Sequence, residues 1–419
     1  MALDLTHTYH FMKTSFLALA RWWFCSSLVA AATLAQGASA IDSDINRTFA
    51  VKPGGEMVID ADSGSIDIAT GDGAEVVIEV KRSVTRADNA EAQAIFNAHE
   101  VKFDRDGDQI RLTARFNQDA NRLLKRGRIN FQVRYQVRVP KQFNLNLRTG
   151  AGGIDVGAIE GTVKTKTSGG NLKFATIKGT LDADTAAGNI SASSISGTTA
   201  VRTSGGNIQL GRLDAEASAT TAAGSITVKA AQNKLTLKSN GGNLEIGDVA
   251  GPTDASTAAG TITVRNAHDK LSLKSNGGNL ELGEVGGPAD ISTAAGSIRV
   301  KIAAAALTAK TSGGNIQVDD ARGPLQAKTA AGSISVSFTA QPKEDCKLAT
   351  AGGNIDIRLS EKLAFNVDAH TAGGRVSHEL PANTLTISKH QGDTLQGKLN
   401  GGGAALALQT SAGNISLRR

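Results

Sequence analysis

"TSGGNIQL" occupies residues 203–210 and "TSGGNIQV" residues 311–318, and near copies such as "TAAGSITV", "SNGGNLEI" and "TAAGTITV" fill the chain between them. Starting points at 149, 167, 185, 203, 221, 239, 257, 275, 293, 311 and 329 lie 18 residues apart. Each unit has Gly three places after its start and Ile or Leu two places further on, as in Gly206 and Ile208. A period near 20 residues marks a stacked repeat protein. Apolar and polar residues alternate in Ile208-Gln209-Leu210 and again in Leu235-Thr236-Leu237, which is strand spacing. Units of strand, turn, strand, turn cannot close a core alone and must stack on their neighbours. The expected fold is therefore all-β, a β-solenoid.

The phrase reads as architecture. Gly170, Gly188, Gly206, Gly224, Gly242, Gly260, Gly278, Gly296, Gly314 and Gly332 are expected at tight corners, where glycine allows positive φ. Thr or Ser at each start, and Asn or Ser one place past the Gly, are turn formers expected to stack into ladders.

A longer period overlies the first, because "GGN" and "AAG" units alternate from 167 to 329. Residues 239–274 match 275–310 at 22 of 36 positions, whereas 239–256 match 257–274 at one of 18. Pro252, Pro288 and Pro324 each follow a "GGN" unit. The duplicated module is thus 36 residues, which leaves open whether a physical coil has 18 or 36.

The flanks differ. Residues 1–40 read as a signal peptide: Lys13 and Arg21, the apolar run "WWFCSSLVAAATL", then "ASA" at 38–40. Translation starting at Met12 would leave a complete signal, and an uncleaved N-terminal anchor is the alternative. Residues 41–148 read as a smaller β-rich region with one short helix in "ADNAEAQAIFNAHE" (87–100). The regular repeats run over 149–340, and 341–419 hold looser repeats and a cap. "SGSIDI" at 63–68 is an early copy of the phrase.

Composition narrows the function. The 419 residues carry a formal charge of +6, and removal of 1–40 leaves 43 basic against 38 acidic residues, +5. That is mild for this size and does not point to nucleic acid. No stretch after the signal is apolar enough to span a bilayer. Only Cys346 remains after cleavage, so no internal disulfide is available.

"YQVRVPKQFNLNLRTGAGGIDV" (135–156), followed by "GTVKTKTSGGNLKF", resembles the bacterial putative-adhesin family of glycine-rich β-strand repeat proteins, a domain of unknown function. The resemblance covers roughly residues 45–419. It implies a β-helical fold, export and an envelope or surface setting, and brings no catalytic residues.

Reactive constellations are scarce. The turns lack the carboxylates of calcium-binding rolls, and Asp248, Asp254, Glu284 and Asp290 fall on other edges. His370 and His378 flank "TAGGRVS" without further metal ligands and read as surface residues. Cys346, between Lys343 and Lys347, has no partner base in sequence and reads as an inert thiol. Arg122, Lys125, Arg126 and Arg128 form the most basic segment, which reads as a solvated hairpin loop or, functionally, as a docking point for anionic lipid, glycan or an acidic partner. No catalytic, metal or cofactor site is expected. The expectation is an exported, non-enzymatic protein of periplasm, cell surface or medium, an adhesin-like or scaffolding component of the envelope with an unidentified protein or glycan ligand. The rivals are a polysaccharide-active or hexapeptide-transferase-like β-helix enzyme and an envelope sensory or partner-binding domain.

Overall fold

In the computed structural model, which describes residues 40–117, 129–381 and 383–419, every repeat contributes one strand to each of two parallel sheets. Ile208–Leu213 lies in sheet I and Ala217–Thr221 in sheet II. Each strand pairs with the one 18 residues later: Ile208 with Ile226, and Ala217 with Leu235. The physical coil is therefore 18 residues, and the 36-residue module is two coils.

Inward residues stack into columns that merge in one continuous core. In sheet I the inward positions are Ile208, Leu210 and Leu213, and pairing skips Gly211, so each strand bends there by one residue. The 36-residue period has a packing cause. One coil sets large residues in sheet I (Leu244, Ile246, Val249) against small ones in sheet II (Thr253, Ala255). The next sets Ile262, Val264 and Ala267 against Leu271 and Leu273. Large against small keeps the filled volume of each coil nearly constant.

Both ends depart from chain order. At the N-terminal end, the strands Glu56–Ala61 and Ser65–Gly71 form a coil lying between the strands Gln109–Phe116 and Asn130–Pro140 on one side and Asn144–Thr149 and Ile154–Val156 on the other. At the other end, Ala404–Arg418 is interposed between Cys346–Leu359 and Phe365–Glu379. Antiparallel strands then cover the exposed edges: Glu75–Thr85 and Ile41–Ala50 at one end, Thr394–Leu399 and Leu385–Gln391 at the other. Such covering removes open templates for strand addition. The helix Asn89–Ala98, with a capping box between Asp88 and Glu91, packs Ala92, Ile95 and Phe96 against Val84.

Candidate interaction surface

The corner after sheet II explains the repeated phrase. The buried Thr203 hydroxyl donates to the Gly188 carbonyl at 2.9 Å and accepts from the Gly206 amide at 3.1 Å, tying two coils together. Ser239 makes the same two bonds, to Gly224 and Gly242, at 2.9 Å each. Outside this buried hydroxyl runs a side-chain ladder. Asn171 Oδ1 accepts from the Asn189 amide, and Asn189 Oδ1 from the Asn207 amide, both at 2.8 Å. The buried hydroxyls and the Asn Oδ1 atoms at these corners are thus engaged in building.

The glycines work differently from the expectation. None of the ten from Gly170 to Gly332 has φ in the left-handed region. They are needed because coils stack so tightly here that a Cβ on any of them would overlap the carbonyl oxygen of the glycine one coil earlier. Close approach, not turn handedness, excludes a side chain.

Charge is layered along the stack. Units 221–238, 239–256, 257–274, 275–292 and 293–310 carry +3, −3, +2, −3 and +3. Within this block basic and acidic coils alternate, and a slip by one coil would set like charges together.

The two outer faces use their charges differently. On sheet I and its margin most cations are paired, Lys173 with Asp155 (3.3 Å), Arg265 with Asp248 (3.6 Å), Arg299 with Asp319 (3.2 Å) and Arg322 with Asp320 (2.6 Å), whereas Lys229 and Lys301 have no ion pair among the described residues. On sheet II, Lys166, Arg202, Lys238, Lys274, Lys310 and Lys328 point outward, and no ion pair among the described residues engages them. Sheet II thus presents an excess of free positive charge, with Asp182, Asp184, Asp254 and Asp290 outward beside these cations. Near its C-terminal end lies a cleft of 420 Å³ whose lining includes Lys310, Gln326, Lys328, Lys347 and Gln409. A wider groove of 810 Å³ on sheet I follows the strand bend over Ala175, Ser193 and Gly211, with Lys173, Arg212 and Glu245 among its walls.

The other candidates disperse. Arg122, Lys125, Arg126 and Arg128 lie outside the described residues. His370 is on sheet II, its Nδ1 3.2 Å from the Thr394 hydroxyl, whereas His378 is on sheet I beside His390, ring centroids 5.8 Å apart. Among the described residues no group of three or more His, Cys, Asp or Glu is placed to hold a metal ion. Cys346 is buried, and burial pushes its thiol pKa up, away from a reactive thiolate. Among the described residues no helix is long and apolar enough to cross a membrane.

One buried group gave no signal in sequence. His99 packs between Phe116 and Phe131, with Nε2 3.3 Å from the Tyr135 hydroxyl and Nδ1 unpartnered. Burial, reinforced by the Arg82 guanidinium, lowers its pKa to about 4. It lies under the N-terminal cap, buried away from solvent.

The family model for Toastrack DUF4097 matches residues 55–282 and again 233–418, nearly all of the stack. The chain belongs to the Toastrack DUF4097 family. No curated protein matches this Toastrack chain. Three solved structures are similar to it. A putative cell adhesion protein from Clostridium sporogenes is 9% identical, covering 90% of this chain and 99% of its own, TM-score 0.15. A putative adhesin from Bacteroides fragilis is 14% identical, covering 90% and 97%, TM-score 0.15. A putative lipid binding protein from Parabacteroides distasonis is 13% identical, covering 75% and 96%, TM-score 0.20.

Proposed function

We propose that this Toastrack protein is an exported, non-enzymatic β-solenoid that serves as an adhesin-like or scaffolding component of the cell envelope. One observation carries the reading: the outward cations of sheet II recur along the stack, mostly on alternate coils, without ion-pair partners among the described residues, while those of sheet I are largely consumed in ion pairs. Free charge on a rigid repeating face suits many weak contacts, whose avidity exceeds any single one. The buried thiol and dispersed histidines give no support to a catalytic role. The test is retention of the purified mature chain on envelope fractions. The reading expects salt-sensitive retention on envelope material; equal retention on cytosolic material, or none, would sink it.

A further inference from the structure

Along sheet II one outward column reads Lys238, Ser256, Lys274, Ser292, Lys310, Lys328, each paired with the next in register. Adjacent coils are about 4.8 Å apart, so Lys238, Lys274 and Lys310 recur about every 9.6 Å with a serine between. All four lysines are exposed and free of ion pairs among the described residues. The neighbouring column places Asp254 and Asp290 on the serine-bearing coils. The lysine column runs into the 420 Å³ cleft, where Lys347 joins Lys310 and Lys328.

We propose that this column binds a linear anionic polysaccharide with one carboxylate per disaccharide, laid along the stacking axis. The inference deepens the envelope-binding reading and rests on it. The lysine repeat is close to the length of an extended disaccharide, so successive carboxylates meet successive ammonium groups. The intervening Ser256 and Ser292 hydroxyls meet the uncharged sugars, which need donors and acceptors rather than charge. Asp254 and Asp290 set the charge density: an anion charged at every residue would meet them as well as the lysines. Duplex nucleic acid carries a charge about every 1.7 Å, far denser than this column. Single-stranded nucleic acid calls for aromatic stacking platforms, and the outward residues of sheet II between 163 and 349 include no aromatic.

The test uses the mature chain, hyaluronan oligosaccharides as the sparse polyanion, and polyglutamate as the dense one. The variant K238Q/K274Q/K310Q removes the column. The variant K229Q/R265Q/K301Q removes the same charge from the same coils on sheet I. We expect hyaluronan binding to weaken about tenfold or more, with a shallower salt dependence, in the first variant only. Three results would overturn the proposal: no hyaluronan binding by the wild type, equal loss in both variants, or polyglutamate bound as tightly as hyaluronan. Retention on envelope fractions without hyaluronan binding would remove this proposal and leave the envelope reading standing.

Discussion

Gly206 lies directly over Gly188, so closely that a Cβ on Gly206 would run into the Gly188 carbonyl oxygen. At the adjacent Gly205 an added Cβ would meet its nearest neighbour at 3.8 Å, an ordinary contact. Gly206→Ala should therefore cost about 2–3 kcal/mol through overpacking against backbone that cannot step aside. Gly205→Ala should be near neutral. Urea titration of the two variants checks the contrast, and equal effects would remove close approach as the reason for the glycine column.

Thr203 bridges the same two coils through its hydroxyl. Thr203→Val keeps the shape but strands a buried carbonyl and amide, for an expected loss of about 1–3 kcal/mol. Thr203→Ser should stay within about 0.5 kcal/mol of wild type, because Ser239 already makes both bonds. Thermal melts of the pair would show whether the hydroxyl or the methyl matters.

His99 makes stability depend on pH. Its folded pKa is lowered to about 4, with Arg82, Asp62 and Tyr135 as its charged or titratable neighbours. The unfolded chain binds the proton near pH 6.5, so stability falls as pH drops from about 6.5 to 4, by something on the order of 3 kcal/mol. Replacing His99 by Phe keeps the aromatic packing and should flatten that part of the profile. An unchanged slope in chemical denaturation would show that other groups cause it.

How far the sequence reaches is clear from particular residues. The 18-residue register was legible because Thr203, Gly206 and Ile208 each answer a local demand of the corner or the core. The coil length was not, since duplication copies whole coils; alternating volume and charge produce the 36-residue period. The interposed coil at Ala404–Arg418 was also hidden, because an inward Leu406 or Leu408 does not encode which strand it will pair with. The lysine column was visible at positions 238, 274 and 310, but its freedom from ion pairs emerges only when the faces are compared. The reason for Gly206 is not legible in the sequence, which shows a missing side chain but not whether φ or a neighbour forbids one.

Export gives an independent prediction. If "ASA" at 38–40 is the cleavage site, the mature chain begins at Ile41, the first residue of the edge strand Ile41–Ala50. N-terminal sequencing of the extracytoplasmic protein should return "IDSDINRT". Retention of residues 12–40 would contradict the signal reading.

The stack of 18-residue coils is tested most directly by small-angle scattering on two deletions. Removing residues 239–274 joins Lys238 to Ser275 and preserves the alternation of core volume and charge. Removing 239–256 keeps the coil register but sets a +3 unit beside a +2 unit. Both should stay folded, shortening the stack by about 9.6 Å and 4.8 Å, two strand spacings and one. The shorter deletion should also be the less stable at low salt and recover as salt screens the repulsion. Unfolding or aggregation of the 18-residue deletion at every salt concentration, with the 36-residue deletion intact, would contradict the coil assignment; collapse of both would contradict the solenoid itself.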